Sequence, residues 1–202
     1  MGTAGNVSAR HGEDIAVTPS GADLGSLEPD QVTVVDLDGR IVAGELEPTS
    51  ELELHLSIHR RFEPGAVVHT HAPMATALSC VLDELPCIHY QMLLFGGPVR
   101  VAPYATFGTP ELAEAVLAAL DGRTAALMAN HGAITYGADL DAAVELSLLL
   151  EWACTVYWRA VTLGEPRVLD QQQQEAVIAA AVERRYGTVR LADRGDSKKE
   201  AK

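Results

Sequence analysis

Lysine is nearly absent: of 202 residues only Lys198, Lys199 and Lys202 carry a side-chain amine, all at the extreme C-terminus. Imine-based carbonyl chemistry needs a lysine inside the folded domain, so a Schiff-base mechanism is argued against from the outset. Positive charge of any kind is scarce. The 15 Lys and Arg stand against 28 Asp and Glu, for a net charge of −13 and a sequence pI near 4.8. Such a chain repels phosphate backbones and anionic lipid heads, which speaks against nucleic acid and membrane as partners. Cys80, Cys87 and Cys154 are odd in number and lack C-x-x-C spacing. Structural disulfides are therefore not expected, the cytoplasm is the default compartment, and the cysteines read as small core hydrophobes. No apolar run approaches the ~20 residues that span a bilayer. The opening MGTAGNVSARHGED lacks the basic and apolar blocks of a signal peptide.

What remains is an ordinary globular balance, 48% hydrophobic and 21% charged, in a length that suits one domain. Ile15–Thr18 and Val32–Asp36 are short β-branched runs between turn residues and read as strands. Ser50 with Glu53 predicts a capping box, and a helix is expected to follow it. The run Ala66-Val67-Val68 leads into His69-Thr70-His71 as a buried strand, and Ala125–Ala129 is a second one. Thr109-Pro110 opens a helix over Glu111–Leu120. Asp139 starts and Gly164 stops a helix over Leu140–Leu163, whose apolar content predicts a central buried element. A last helix covers Glu175–Arg185, opened by the glutamines before it. These elements predict a single α/β layer sandwich, a central mixed sheet flanked by helices. The domain is expected over residues 1–193, with a charged tail over 194–202.

The seven histidines sort unequally. His69 and His71 lie two apart in a strand, where alternate side chains share a face, so two imidazoles can converge on one ion. His131, between Asn130 and Gly132 where a strand meets a turn, supplies a third. Three neutral imidazoles around an open fourth position suit catalytic zinc. His55 and His59 have helical i, i+4 spacing, but Leu56 stands where a zinc protease would carry glutamate. They read as residues on the helix surface or behind the ligands. His11, beside Gly12, reads as solvated.

Seven segments then occur in order: Gly2–Ser8, Thr18–Gly21, Pro48–Glu51, His69–His71, Ile88–Tyr90, Ala102–Gly108 and Asn130–Gly132. Together they resemble the class II aldolase/adducin superfamily, and within it the L-fuculose-phosphate aldolases, from Gly2 to about Tyr186. The resemblance implies a zinc ion, or another divalent metal, one per subunit, on His69, His71 and His131. Glu51 matches the catalytic carboxylate, which also ligates the metal when substrate is absent. Gly5 and Asn6, Ser20 and Gly21, and Thr49 and Ser50 match phosphate-binding loops, which hold a dianion with backbone N–H groups and hydroxyls instead of lysines. Tyr90 matches a proton donor that reaches into a neighbouring subunit, Phe107 an aromatic lining the aldehyde pocket, Tyr186 a tail tyrosine near the site, and Thr3 a nearby hydroxyl. Relatives carry a helix ahead of the first segment; Met1 directly precedes it here, so that helix is expected to be missing.

The implied activity is reversible retro-aldol cleavage of a ketose 1-phosphate, of the L-fuculose 1-phosphate type, to dihydroxyacetone phosphate and an aldehyde. Glu51 would remove the C3 proton in the synthetic direction, a task suited to a carboxylate whose pKa burial can raise. The implied assembly is a homotetramer with sites at subunit interfaces. L-ribulose-5-phosphate 4-epimerase and other sugar-phosphate lyases, dehydratases or decarboxylases of the superfamily stay open as alternatives. A non-catalytic adducin-like module is a remote one, because His69, His71, His131 and Glu51 are all present.

Overall fold

A strand that is apolar at every position is stable only where both of its faces are covered. Ala125–Met128 is such a run, and in the computed structural model of the protein, which describes residues 4–184, it lies near the middle of a sheet. Ala125 and Leu127 point into one hydrophobic cluster, Ala126 and Met128 into another.

The elements run β1 (Asn6–His11), β2 (Asp14–Val17), β3 (Thr33–Val35), β4 (Ile41–Ala43), α1 (Leu52–Phe62), β5 (Ala66–Thr70), α2 (Pro73–Ser79) and β6 (Glu84–Leu85). They continue as β7 (Val99–Ala102), α3 (Pro110–Ala119), β8 (Ala125–Met128), β9 (Gly132–Gly137), α4 (Leu140–Leu163) and α5 (Gln171–Arg184). The nine strands form one sheet in the order β4-β3-β2-β1-β5-β9-β8-β7-β6. Only β7 with β8 is parallel; the other pairs are antiparallel, so the sheet is mixed as expected. Helices α1 and α3 cover one face, with Leu54, Ile58, Leu112 and Val116 packed on Val67, Met128 and Ile134. Helices α2 and α4 cover the other, with Leu78, Leu150 and Cys154 packed on Leu127 and Ala133. The chain divides into a compact unit ending at Leu169 and a second unit that begins at Asp170 and holds α5. No described helix is long and apolar enough to cross a membrane.

Helix boundaries follow the caps where a cap exists. Thr109 accepts from Leu112 N–H ahead of Pro110, and Asp139 accepts from Ala142 N–H at 2.8 Å. The box expected at Ser50 and Glu53 does not form. The residue at the cap position of α1 is Glu51, without a side-chain cap bond. Glu53 is drawn away by a two-pronged ion pair with Arg60 (2.9 and 3.0 Å) and by Ser57. Three charge-assisted bonds one and two turns along the helix outcompete the single bond the cap would offer this carboxylate.

Three further expectations need correction. Helix α4 is not buried all round: Leu140, Val144, Leu148 and Trp152, four residues apart, form an exposed apolar stripe, and Ala143, Leu150, Ala153 and Cys154 are its buried residues. One sheet face covers one side of a 24-residue helix and leaves the other bare. Cys80 is exposed, whereas Cys87 and Cys154 are core residues as expected. Strand β1 was not legible because its pattern is inverted: Asn6 and Ser8 are buried while Val7 and Ala9 are only partly so.

Close backbone approach at β9 depends on Gly132. A Cβ there would lie 2.4 Å from the Thr70 carbonyl oxygen, and real Cβ atoms essentially never come within 3.0 Å of a backbone atom. Gly132→Ala is expected to lower the unfolding free energy by about 1–3 kcal/mol, read from the urea midpoint at unchanged m-value.

Candidate active site

His69 is the penultimate residue of β5, held between two partners, with Asn6 opposite it on β1 and Ile134 opposite it on β9. Its Nδ1 lies 2.9 Å from the Ala133 carbonyl oxygen. A carbonyl only accepts, so Nδ1 carries the hydrogen and Nε2 of the neutral ring is bare. That bare nitrogen faces His71 Nε2 at 2.9 Å and Glu51 Oε2 at 3.2 Å. His131 enters from the β8–β9 turn, where Asn130 takes a left-handed conformation (φ 57°) that asparagine tolerates. The three rings stand 4.8–4.9 Å apart, centre to centre, at steep mutual angles. One ligand atom from each lies within 4.8 Å of the other two.

This donor set fits a divalent metal on two counts. A lone pair pinned toward neighbouring imidazoles by a backbone hydrogen bond on the far nitrogen is the arrangement metal-binding histidines adopt. Beside it, Glu51 Oε1 is buried without a hydrogen-bond partner, 3.4 Å from His131 Nε2. An orphaned carboxylate oxygen at the mouth of three imidazoles is a vacancy in the hydrogen-bonding pattern that a cation would satisfy.

Electrostatics run the same way. Burial pushes the His71 pKa down to about 4, helped by the charges of His69 and His131, and lowers that of His131. Both rings are thus neutral and able to ligate near pH 7. For Glu51 burial raises the pKa, but the neighbouring His69, the hydrogen bond from the Asn6 amide and the nearby His131 outweigh it, and the group is lowered to about 2. The expectation of a carboxylate raised by burial is therefore reversed, because this carboxylate sits against the Asn6 amide and imidazole rings and not against apolar walls.

A cavity of about 370 Å³ opens beside these residues, with Glu51, His71 and His131 at its floor. Gly5 and Asn6, Ser20 and Gly21, Thr49 and Ser50 all line it, and so does Phe107. Bonds from Thr49 N to Thr18 O and from Ser20 N to Glu47 O tie two of the loops together. Asn6 divides its side chain: its Nδ2 also donates to Glu51 Oε2 at 2.9 Å. Among the described residues no lysine or arginine lines this cavity. Tyr104, Ala105 and Asn130 line it too; Tyr104 lay inside a recognised segment, but nothing in its neighbours marked it as a wall residue. Tyr90 does not line it. It opens a 3-10 turn over Tyr90–Phe95, 42% exposed, beside His89, which packs edge-on against Trp152 of α4. Thr3 and Tyr186 lie outside the described residues. His55 and His59 are fully buried, not surface residues of α1.

A mixed α/β sheet that carries a three-imidazole, one-carboxylate cup, beside a cavity lined among the described residues by hydroxyls and backbone, defines a candidate metal-dependent active site. Comparison with known proteins makes this specific. Residues 1–158 match the family described as Class II Aldolase and Adducin N-terminal domain. The 5-methylthioribulose-1-phosphate/5-deoxyribulose-1-phosphate aldolase of Rhodospirillum rubrum is 41% identical over 179 residues, 88% of this chain and 80% of that one. The 5-deoxy-D-ribulose 1-phosphate aldolase of Bacillus thuringiensis serovar kurstaki is 38% identical, over 86% of this chain and 83% of that one. A solved L-fuculose 1-phosphate aldolase superimposes with a TM-score of 0.85 at 36% identity, covering 89% of this chain and 86% of that one. The chain belongs to the class II aldolase and adducin family, and within it to the metal-dependent aldolases.

Burial sets a pH window for stability. It lowers the pKa of His55 to about 3 and that of His59 to about 4, from an ordinary 6.5. The unfolded chain then binds these protons more tightly than the folded one, so stability is complete above pH 6.5 and is lost as pH falls from there toward 4 and 3. His71 and His131 act in the same sense, and Glu51 adds its loss only below 4.5. In metal-free protein the urea midpoint is expected to be flat from pH 8 to 7 and to fall between pH 6 and 4.5, less steeply in His59→Leu.

Proposed function

We propose that the protein cleaves a ketose 1-phosphate reversibly to dihydroxyacetone phosphate and an uncharged aldehyde, using zinc on His69, His71 and His131. The observation that carries this reading is one cavity that joins the imidazole cup to three loops able to hold a phosphate without a lysine. Within the ketose 1-phosphates, a 5-deoxypentulose 1-phosphate or its 5-methylthio analogue is the preferred substrate and L-fuculose 1-phosphate the second. Two relatives, at 41% and 38% identity, are named for the former, against 36% for a fuculose enzyme. The apolar wall of Tyr104, Ala105 and Phe107 suits an aldehyde with a deoxygenated end.

A zinc ion held there supplies Lewis-acid stabilisation of the negative charge that C3–C4 cleavage leaves on the ketone fragment. The loops at Gly5–Asn6, Ser20–Gly21 and Thr49–Ser50, with Thr3, bind and orient the phosphate, which fixes the reacting carbons beside Glu51. Glu51 takes the C3 proton in the synthetic direction and returns it in cleavage. Phe107 lines the aldehyde side, and Tyr186 is assigned to the site from the resemblance alone. Tyr90 protonates the aldehyde oxygen of a neighbouring subunit in a homotetramer. Support for this comes from its absence among the residues that line the cavity of its own chain, and from its place beside His89, which packs on Trp152 of the bare apolar stripe of α4. Three free thiols support a reducing cytoplasm as its setting.

The test is a panel of ketose phosphates assayed for dihydroxyacetone phosphate. Release from 5-deoxyribulose 1-phosphate, lost with a chelator and restored by zinc, is expected. Epimerisation without aldehyde release would replace the aldolase reading with the epimerase one, and no reaction with any member would end both. Tyr90→Phe is expected to lower turnover about 10²–10⁴-fold with the zinc content unchanged; unaltered turnover would remove this tyrosine from the chemistry.

A further inference from the structure

The interior beneath α1 is polar where a core would ordinarily be apolar. Asn6 and Ser8 project from β1, two residues apart, and His55 and His59 project from α1, four apart. Two steps along a strand advance about 6.6 Å and four along a helix about 6 Å. The two repeats match, so the strand pair meets the helix pair in register. His55, His59 and Ser8 are at most 1% exposed.

The hydrogen bonds form one line. Asn6 Nδ2 lies 2.9 Å from Glu51 Oε2, and Asn6 Oδ1 meets His55 Nε2. His55 Nδ1 lies 2.7 Å from Ser8 Oγ, which lies 2.9 Å from His59 Nε2. The far nitrogen, His59 Nδ1, is buried and makes no well-formed hydrogen bond, although the Pro64 carbonyl is near enough to act on the ring.

Direction along this line is decided at one end. An ionised carboxylate only accepts, so the Asn6 amide must donate to Glu51 and turn its oxygen toward His55. That oxygen also only accepts, so His55 Nε2 carries hydrogen and its Nδ1, in the neutral ring, is bare. The bare nitrogen takes the single Ser8 hydroxyl hydrogen. Ser8 Oγ is then left to accept, so His59 Nε2 must donate. His59 Nδ1 is consequently bare, which agrees with its making no well-formed bond to the Pro64 carbonyl. Every hydrogen points toward Glu51.

We propose that Ser8, His55 and His59 are positioning residues: a one-way chain of donors that locks the Asn6 amide and, through it, the orientation of Glu51. Both histidines carry hydrogen on Nε2 alone. The proposal rests on Glu51 being the working carboxylate of the site. A buried polar line is a poor way to gain stability, since apolar replacements of matched shape are near neutral or stabilising. Its value lies in fixing one rotamer of a side chain that would otherwise swing between Asn6, His69 and His131.

The experiment has two arms. The first is nitrogen-15 NMR of the wild-type protein at pH 7, with the histidine signals assigned by their disappearance in His55→Gln and His59→Gln. Protonated Nε2 and bare Nδ1 are expected at both residues; hydrogen on Nδ1 of either ring, or on both nitrogens, would overturn the direction of the chain. In the second arm, His55→Leu removes the donor and His55→Gln returns one. His55→Leu is expected to lower kcat about 10–100-fold, with KM within twofold and the thermal midpoint kept, and His55→Gln to recover to within a few-fold. Equal kcat in folded wild type, Leu and Gln variants would overturn the positioning role. Should the wild type show no aldolase activity at all, the proposed reaction fails by itself, and the NMR arm still decides the chain of donors.

Discussion

His69 is held on both sides by antiparallel strands, and its Nδ1–H is bonded to the carbonyl of Ala133 across β9. That one bond selects the tautomer, points the opposite lone pair at His71 and Glu51, and so creates the cup. The remaining parts depend on it. Gly132 lets β9 come close enough to Thr70 for the bond to form, and the β8–β9 turn then delivers His131 to the same point. Asn6, facing His69 on the other neighbour, brings the first loop of the cavity with it.

The second constraint is charge. The chain carries a net charge of −13, and among the described residues no lysine or arginine lines the cavity. Backbone amides and hydroxyls keep their polarity without reversing the acidic field outside, and they leave no amine near a carbonyl substrate. His71 and His131 stay neutral through burial, and Glu51 stays ionised beside the Asn6 amide and the imidazole rings. Acidic, neutral and metal-binding groups thus coexist within a few ångströms.

Much of the enzyme was legible in the linear sequence. The spacing of His69 and His71, the isolated His131 at a strand end, the caps at Thr109 and Asp139 and the apolar run at Ala125 all depend on neighbours in the chain, where local rules hold. The capping box failed at Glu53 because its ion pair with Arg60 competes from seven residues away. Strand β1 was missed because its inward face is polar, and β9 because Gly132–Gly137 follows β8 so closely that the two read as one run with a turn. Short edge strands such as β4 and β6 carry too few residues for any period to show.

The sequence by itself determined which atoms are available for chemistry: three imidazoles, one carboxylate beside a helix start, hydroxyl and glycine loops, and no lysine within the domain. Only the tertiary structure decided their orientation. Whether His55 and His59 face solvent or Ser8, whether burial raises or lowers Glu51, and whether α4 is covered all round depend on strands and helices that meet across dozens of residues. Local spacing sets the face a residue occupies on its own element; what that face packs against is set by the pairing of the whole sheet.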